Sequence, residues 1–518
     1  MLKISNVKVP IQTKEEDYPK IVSSHLNIRA KELKNVKLLK RSIDARKNDV
    51  HYISSFIFEH TNEENLLKKN RSLSIYKPFK LTIPFGIQEK TIVVGSGPAG
   101  LFCAWLLAKS GSPVTLLERG KQVEERIKDV ESFFANGKLN IHSNIQFGEG
   151  GAGTFSDGKL TTGIKDPKVT TVLETFVKYG APRDILYEAM PHIGTDYLRQ
   201  VVKNMREDLI AMGVEVRFEA LVTDILMEQD CAKGVEINHQ EKLYAKHIVL
   251  AIGHSARDTF EMLYQRAVPM TSKPFAVGLR IEHLQQEVNA VQYKKASRYL
   301  KAAPYKLAYH ATNGRGVYTF CMCPGGEVVG ASSEEGLLVT NGMSEYARDK
   351  ANANAAVLVS VDQKDFGSEH PLAGMYYQRE LEKKAFELGG GHYQAPISLL
   401  KDYMENATST AFGHITASYR PNVKFANLNA LFSYEINQAM KEGLLAFGKK
   451  LSFFQDDEAV LTGVESRSSS PVRFVRDEKC MSPILNLYPC GEGAGQAGGI
   501  VSAAVDGLKV ALAILSKA

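Results

Sequence analysis

A glycine-rich turn near residue 95 is the first feature whose residue types and spacing indicate a specific chemistry. The run Gly95-Ser96-Gly97-Pro98-Ala99-Gly100 follows an apolar strand-like segment and begins a helix-like one. The first glycine permits a tight turn, the second lets a pyrophosphate approach the backbone, and the third lets helix and strand pack closely. A second apolar segment, residues 114–117, ends in Glu118, 18 residues after Gly100. A carboxylate there accepts hydrogen bonds from both ribose hydroxyls of a dinucleotide and repels a 2′-phosphate.

Two further glycine patterns have the same spacing but lack the rest of the unit. Residues 148–153 are followed by loop-forming residues, and residues 493–498 precede the last helix of the chain. Neither is followed by a second strand that ends in an acid. Residues 153–160 also approach a phosphate-binding P-loop, but Leu160 stands where a magnesium-binding hydroxyl is needed. The sequence therefore excludes ATP hydrolysis, and only the first pattern predicts a dinucleotide site.

Three segments together resemble the FAD motifs of the glutathione-reductase-like flavoprotein superfamily. Residues 95–118 are similar to its first motif, and His247-Ile248-Val249-Leu250-Ala251-Ile252-Gly253 resembles its second. Leu487-Tyr488-Pro489-Cys490-Gly491-Glu492-Gly493 resembles its third, in which an acid after glycine holds the ribityl chain. That acid is usually aspartate, so Glu492 departs from the motif.

A longer set of motifs resembles one family within this superfamily, the uncharacterised FAD-dependent dehydrogenases. The motifs are residues 144–160, Arg41-Ser42-Ile43-Asp44-Ala45-Arg46 and Ser468-Ser469-Ser470-Pro471-Val472-Arg473, and the resemblance covers essentially the whole chain. It implies FAD, hydride transfer through the flavin N5, and a large inserted domain over the flavin face. The small-molecule substrate is unknown. NAD(P)H is a possible external reductant without a Rossmann site of its own.

The resemblance and the glycine patterns together predict the residues that hold FAD. Val222 would reach the adenine through its backbone, and the glycine-rich loop of residues 148–160 would pass close to the cofactor. The last helix would direct its positive end at the pyrimidine edge of the ring. The predicted cofactor-binding residues are Gly95, Ser96, Gly97, Pro98, Ala99, Gly100, Glu118, Arg119, Gly153, Thr154, Asp157, Gly158, Lys159, Val222, Ala251, Gly253, Gly491, Glu492, Gly498, Gly499 and Ile500. The sequence identifies no metal site and no catalytic residue.

The remaining reactive side chains form no recognisable catalytic set. Disulfide reductases need two closely spaced cysteines beside the flavin, and the six cysteines contain no CxxC pair. Cys321 and Cys323 are expected to share one face of a strand, but without a further Cys or His nearby they do not make a closed zinc site. Four cationic or basic side chains could either anchor an anionic substrate or serve ordinary ion pairs: Arg280, His283, Arg348 and Arg467.

The order of strand-like and helix-like segments predicts an α/β protein of three parts. They are a small N-terminal α+β domain (residues 1–87), a Rossmann-like FAD-binding domain (88–272 and 478–518) and an inserted α+β substrate or cap domain (273–477). In the first part we expect strands at 2–11, 36–39 and 51–58, helices at 18–34 and 62–69, and a turn at 46–49. In the inserted part we expect strands at 275–281, 316–322 and 327–331, and helices at 344–358, 373–388 and 428–447.

Composition and charge narrow the class of protein. The 518 residues are 44% hydrophobic and 24% charged, which is typical of an ordinary globular protein of several domains. No apolar run approaches the ~20 residues of a membrane-spanning helix, and residues 1–8 lack the apolar core of a signal peptide. We therefore expect a cytoplasmic protein with no membrane partner.

The positive charge is concentrated in the N-terminal segment. Residues 1–90 hold 18 Lys and Arg against 10 Asp and Glu, whereas the whole chain carries a net charge of +6. Such an excess can mean RNA contact, but no aromatic-plus-glycine RNA motif accompanies it, so a nucleic-acid partner is not expected. The alternatives to a FAD-dependent oxidoreductase are a flavoprotein that acts on RNA, a non-enzymatic flavin-binding regulator and an NAD-linked dehydrogenase without flavin.

Overall fold

A computed structural model of the chain describes residues 1–47 and 49–516. The turn expected at residues 46–49 includes Asn48, which lies outside the described residues. The last two residues of the segment 478–518 also lie outside them.

The N-terminal part is an antiparallel sheet packed against helices. Its elements are β1 (Leu2–Pro10), α1 (Tyr18–Leu26), β2 (Leu33–Asp44), β3 (His51–His60), α2 (Glu63–Lys69) and β4 (Leu73–Ile75). The strand order is β2-β3-β1-β4. Alternate residues of β1 and β3, among them Ile4 and Phe56, are buried beside Val22 of α1, so the sheet has one apolar face. The helix expected over residues 18–34 ends at Leu26, because Asn27 adopts a left-handed conformation with φ of 53°.

A five-stranded parallel sheet with helices is the centre of the second part, which has a Rossmann-like fold. Its elements are β5 (Thr91–Val94), α3 (Pro98–Ser110), β6 (Val114–Leu117), α4 (Val123–Asn136), α5 (Lys168–Lys178), α6 (Gly194–Ala211), β7 (Glu215–Arg217), β8 (Val222–Glu228), β9 (Cys231–Ile237), β10 (Glu241–Tyr244), β11 (His247–Leu250) and α7 (Arg257–Gln265). The last strand and helix of the chain also belong to it: β23 (Leu487–Pro489) and α13 (Ile500–Leu515). The sheet order is β23-β11-β5-β6-β7, and β8, β9 and β10 form a separate antiparallel sheet. Every residue of β5, β6 and β11 is buried, as expected of strands covered on both faces.

A large mixed sheet dominates the inserted part. The elements are β12 (Met270–Ser272), β13 (Phe275–Leu284), α8 (Gln285–Tyr293), β14 (Ala308–His310), β15 (Gly316–Cys323), β16 (Glu327–Gly330), β17 (Thr340–Met343), β18 (Asn352–Val361), α9 (Gln363–Phe366), α10 (Ala373–Leu388), β19 (Gln394–Leu399), α11 (Leu400–Glu405), β20 (Asn422–Phe425), α12 (Tyr434–Gly448), β21 (Val460–Glu465) and β22 (Val472–Phe474). Seven of these strands form one sheet in the order β14-β15-β18-β13-β21-β19-β20. β12 pairs with β22 where the chain enters and leaves this part.

The helix expected over residues 344–358 is wrong. Residues 352–361 form β18, a central strand that pairs with β13 on one side and β15 on the other. Alanines in this run favour a helix, but its valines and Leu358 are buried in the sheet. Tertiary packing on both faces therefore overrides the local preference of the run. The strands expected at 275–281, 316–322 and 327–331 and the helix expected at 373–388 are present, while the helix expected at 428–447 begins only at Tyr434.

The last helix packs directly on the helix of the glycine turn. A Cβ added to Gly507 of α13 would lie 2.1 Å from the carbonyl oxygen of Ala99 in α3, so the two helix backbones touch. Among residues 1–47 and 49–516, no helix is both long and apolar enough to cross a membrane.

The Gly507→Ala variant tests this helix contact. The added methyl group must push α13 away from α3, and such overpacking typically costs about 1–3 kcal/mol. We expect a lower urea midpoint for unfolding, measured by circular dichroism. Ala513→Ser, at a half-exposed position of the same helix, is the control and is expected to change stability by less than about 0.5 kcal/mol. Equal midpoints for Gly507→Ala and wild type would contradict the contact.

Candidate functional site

A cavity of about 340 Å³ lies at the carboxyl edge of the parallel sheet. Three strands lead into its wall: β5 into Gly95, β11 into Ala251 and β23 into Cys490. Parallel strands present their carboxyl ends at one edge of a sheet, which is where open α/β sheets bind ligands. The fold thus brings together segments that are far apart in the sequence.

The glycine turn after β5 has the geometry that its spacing predicts. Gly95 has a φ of 101°, and a Cβ on it would lie 2.3 Å from the carbonyl oxygen of Ala251. A Cβ on Gly100 would lie 1.8 Å from the carbonyl oxygen of Gly95, so only glycine lets α3 pack this closely. A Cβ on Gly97 would meet only the Cα of Gly151, at 3.8 Å, beside the cavity. Close packing within the protein therefore requires glycine at positions 95 and 100, whereas Gly97 leaves open space beside the cavity.

Glu118 is buried at the end of β6 and holds this turn in place. Its Oε2 accepts hydrogen bonds from the Ser96 N–H at 2.9 Å and from the Ser96 hydroxyl at 2.7 Å. Its Oε1 accepts from the N–H groups of Gly120, at 2.9 Å, and Gly148, at 3.0 Å. The carboxylate therefore joins the glycine turn to the loop of residues 148–160 while it lines the cavity.

Two helices begin at the cavity with amino termini that no side chain caps. The N-cap residues are Gly97 for α3 and Gly499 for α13, and neither can offer a side-chain hydrogen bond. A Cβ on Gly153 would lie 3.1 Å from the side chain of Ile500, which shows how closely the loop approaches α13. Free N–H groups at helix starts attract phosphate and other anions, so two anion-binding ends face one cavity.

Most of the residues predicted to hold the cofactor line this cavity. They are Gly95, Gly97, Pro98, Ala99, Glu118, Arg119, Gly153, Asp157, Gly158, Lys159, Val222, Ala251, Gly253, Glu492, Gly498, Gly499 and Ile500. Four others are not among the lining residues: Ser96, Gly100, Thr154 and Gly491. The Thr154 hydroxyl donates to the carbonyl of Glu149 at 3.2 Å, and the Gly491 N–H donates to Asp506 at 2.8 Å.

Family models and one relative match the chain. The model described as "FAD-dependent protein, C-terminal domain-like" matches residues 274–468, a "NAD(P)-binding Rossmann-like domain" matches 93–132, and a "domain of unknown function" matches 1–58. An uncharacterized protein of Clostridium beijerinckii is 44% identical over 527 residues, which is 100% of this chain and 99% of that protein. The chain belongs to the FAD-dependent oxidoreductase family. It is an enzyme, and its cofactor is FAD.

Two further proteins are similar to this FAD-dependent oxidoreductase. Digeranylgeranylglycerophospholipid reductase 1 of Methanococcoides burtonii is 29% identical over 167 residues, which is 32% of this chain and 37% of that protein. The crystal structure of a geranylgeranyl bacteriochlorophyll reductase-like protein from Thermoplasma acidophilum matches with 11% identity and a TM-score of 0.36, over 83% of this chain and 79% of that one.

The chemistry of the cavity fits FAD. A dinucleotide needs N–H donors for its pyrophosphate, an acceptor for its ribose and a backbone that it can approach closely. The oxidoreductase offers the uncapped starts of α3 and α13, the carboxylate of Glu118 and the open space at Gly97.

A buried carboxylate organises the end of the cavity that faces the inserted part. Asp157 accepts hydrogen bonds from Arg348 at 3.0 and 2.6 Å and from the Ser344 hydroxyl, and Lys159 Nζ lies 3.2 Å from it. Burial alone raises the pKa of Asp157, but Lys159 and Arg348 outweigh burial and hold the pKa well below its usual range. The loop of residues 148–160 is thereby tied to the segment before β18.

Glu492 lies in the same cavity, on the segment after β23. Burial raises the pKa of Glu492 to about 7, against the opposing effect of Lys273. His254 Nδ1 is 3.7 Å from its carboxylate, and burial, with Arg467 and Arg257, lowers the pKa of His254 to about 3. The pair is therefore held towards its uncharged forms, in contrast to the ionised Asp157.

The inserted part contributes lining residues that the sequence did not single out as cofactor contacts. They are Phe320, Cys321, Asn341, Glu465, Arg467 and Ser468. β15 has an irregular register between Phe320 and Cys323, and Cys321 has a φ of 44°, so the regular strand alternation from which a shared face was predicted for Cys321 and Cys323 is interrupted here. The sequence does show two closely spaced cysteines, but it does not show that Cys321 lies at the cavity.

The four candidate anion anchors have different surroundings. Arg280 is fully buried and pairs with Glu465 at 3.0 Å. His283 is also fully buried, within the rings of Tyr305, Phe453 and Phe454. Arg348 pairs with Asp157, and Arg467 pairs with Glu382 at 2.7 Å although it reaches the cavity. Of the two roles considered for these residues, substrate anchor or ordinary ion pair, the three arginines have ion-pair partners. The histidine lies instead in an aromatic cluster.

The Glu492→Gln variant tests the uncharged state of Glu492. Because its folded-state pKa is raised, native Glu492 keeps a proton that the unfolded chain has lost, and this contribution to stability declines as the pH rises from about 4 towards 7. Glutamine mimics the protonated form at every pH. We expect the variant to match wild type near pH 5 and to be more stable by about 1–3 kcal/mol at pH 8, from thermal unfolding at both values. The exposed Glu335→Gln is the control; a Glu492→Gln effect equal at both pH values would contradict the raised pKa.

Proposed function

We propose that FAD lies along this cavity, with its ADP half at the glycine turn and Glu118 and its flavin ring towards the inserted part. The observation that carries the proposal is the meeting of two uncapped helix starts, of α3 and α13, at one cavity with open space at Gly97. Bound FAD would supply an acceptor for a hydride at N5 of its ring. The substrate would enter on the side of Cys321 and Asn341.

Within this proposal the chain binds and orients the cofactor. The N–H groups at the start of α3 would receive the pyrophosphate, Glu118 the ribose hydroxyls, and the backbone of Val222 the adenine. Glu492 would hold the ribityl hydroxyls, and its raised pKa lets it donate as well as accept near neutral pH. The start of α13 would lie at the pyrimidine edge, where its positive end favours negative charge.

The finer family relationship is also part of the proposal. We place the oxidoreductase in the glutathione-reductase-like superfamily, because the ends of β5, β11 and β23, which carry the three resembling motifs, lie side by side at one cavity.

NAD(P)H would act as an external reductant without a nucleotide-binding unit of its own. The second glycine pattern, residues 148–153, and the third, residues 493–498, both contribute to the wall of the FAD cavity. Neither opens a second strand–helix–strand unit within the described residues. The nicotinamide would therefore meet the cofactor from the substrate side.

The N-terminal part is proposed to be a docking domain rather than a nucleic-acid binder. Arg41 in β2 forms an ion pair with Glu188, and its backbone exchanges hydrogen bonds with Tyr187 and Ala189. Arg46 and Lys8 pair with carboxylates of the same part.

We also propose a cytoplasmic location, because all six cysteines are free thiols in the structure.

The Gly97→Val variant tests the position of FAD. A valine there has room within the fold but would fill the space proposed for the pyrophosphate. We expect wild type to purify with non-covalent FAD that acid releases, and the variant to bind FAD at least about tenfold more weakly, or about 1.4 kcal/mol. Flavin absorbance per protein measures this.

Gly163→Val is the matched control, because a Cβ there meets nothing within 4 Å, so the valine likewise has room, but Gly163 does not line the cavity. It is expected to keep full flavin content. Full flavin content in Gly97→Val would place FAD elsewhere. Glu118→Ala is a less selective test, since it also removes the hydrogen bonds that hold Ser96, Gly120 and Gly148.

A further inference from the structure

Two cysteines of the inserted part stand at the proposed flavin end of the cavity. Cys321 lines it, together with Phe320 and Asn341, while Cys323, two residues further along β15, is fully buried. The irregular register of β15 falls at this point, and Cys321 has the left-handed φ of 44°, rare for a residue with a side chain. Irregularities of this kind re-aim side chains beside active sites.

Two cationic side chains lie beside the two cysteines. Lys159 Nζ is 3.9 Å from Cys323 Sγ, and the Arg280 guanidinium donates to the carbonyl of Cys321 at 3.2 Å. The opposing carboxylates are Asp157, paired with Lys159, and Glu465, paired with Arg280. Interaction with the Cys323 thiol, with help from Lys159 and Arg280, lowers the pKa of Cys321. One thiol of the pair is thus prepared to react as thiolate.

The other cysteines lack this environment. Cys490 also lines the cavity, but burial raises its pKa, as it raises the pKa of Cys103 and of Cys480, so these thiols stay protonated. Cys231 lies in β9, away from the lining residues. Cys321 is therefore the cavity-lining cysteine whose pKa is lowered, and Cys323 supplies a second sulfur two residues away on the same strand.

The spacing of the two cysteines permits a bond between them. Residues two apart in a chain have Cα atoms no more than about 7 Å apart, and disulfides span Cα distances of about 4.4–6.8 Å. The Cys323 thiol already turns back towards its neighbour, since its Sγ donates to the carbonyl of Cys321 at 3.3 Å.

We propose that Cys321 and Cys323 are a redox pair that exchanges two electrons with FAD, and that the substrate class of the enzyme is dithiols and their disulfides. This inference rests on the placement of FAD in the cavity. In the oxidising direction both S–H bonds break and one S–S bond forms. The electron pair and the two protons leave the sulfurs, and FAD is the oxidant that becomes reduced. An external dithiol then re-reduces the pair by thiol–disulfide exchange and leaves as its own disulfide.

An anaerobic titration of the full-length holoenzyme tests the pair without turnover. Starting from air-oxidised protein, dithionite should be consumed to about four electrons per FAD in wild type, two for the flavin and two for the disulfide. Cys321→Ser and Cys323→Ser should each take about two. Cys231→Ser, a half-buried cysteine outside the cavity, is the matched control and should behave as wild type. Uptake of about two electrons by wild type would overturn the proposal.

Peptide mass provides a second readout that does not depend on FAD. Trypsin leaves residues 316–348 as one peptide, whose only cysteines are Cys321 and Cys323. In air-oxidised holoenzyme blocked with iodoacetamide, this peptide should lack two hydrogens and carry no alkyl group. After dithiothreitol treatment it should carry two alkyl groups. Two alkyl groups before reduction would show free thiols and overturn the pair.

Dithiothreitol tests the substrate class. As a dithiol it should bleach the flavin of anaerobic wild type and of Cys231→Ser at least about tenfold faster than that of Cys321→Ser or Cys323→Ser. Equal rates in all four proteins would overturn the electron relay. The Gly97→Val variant distinguishes the two proposals. If the placement of FAD is wrong, this variant keeps its flavin. If only the redox pair is wrong, the variant still loses flavin, as expected from the placement of FAD.

Discussion

The cavity depends on one buried carboxylate that holds two parts of the chain together. Glu382 of α10 has no exposed surface and accepts charged hydrogen bonds from Arg257 of α7 and from Arg467 after β21. Burial alone raises the pKa of Glu382, but the two arginines outweigh burial and keep the group ionised. Leaving such a buried charge unpaired costs about 3–5 kcal/mol of folding free energy. The positions of Glu382, Arg257 and Arg467 are therefore fixed relative to one another. The parallel sheet and the inserted part therefore meet in one arrangement, and the cavity is the space between them.

The same physical logic shapes the loop that forms another wall. Arg126 is fully buried and donates to the carbonyl groups of Asn144, Ile145, Glu149 and Gly151 at 2.6–3.0 Å. A glycine-rich loop has few side chains whose packing could order it. Hydrogen bonds from the Arg126 guanidinium to the carbonyl groups of the loop order it instead. The N-terminal part adds a further tie through Arg41. The sequence motif around Arg41 therefore has a structural role in docking, next to the segment that leads to α6.

The sequence predicted those features that depend on local spacing. The three glycines and Glu118 are recognisable because turn, helix start and strand end lie within one short unit, and the structure has that turn, helix and strand at these positions. The helix predicted over residues 344–358 is wrong because β18, which begins at Asn352, depends on pairing with β13 and β15. The cavity positions of Cys321, Asn341 and Glu465 depend on strand register in the large sheet, and the partner of Arg348 depends on a loop nearly two hundred residues away. No local pattern encodes such contacts.

The two ends of the cavity are built from different chemical groups. This difference separates cofactor binding at one end from substrate recognition at the other in the proposed arrangement. At the glycine turn the available groups are backbone N–H donors and one carboxylate, which suit a cofactor that does not vary. At the inserted part they are the ion-paired carboxylate of Glu465 and the thiol of Cys321, both on strands of the seven-stranded sheet. On the proposed placement of FAD, selectivity for substrate would reside in the inserted part, and the backbone geometry at the edge of the parallel sheet would not constrain it.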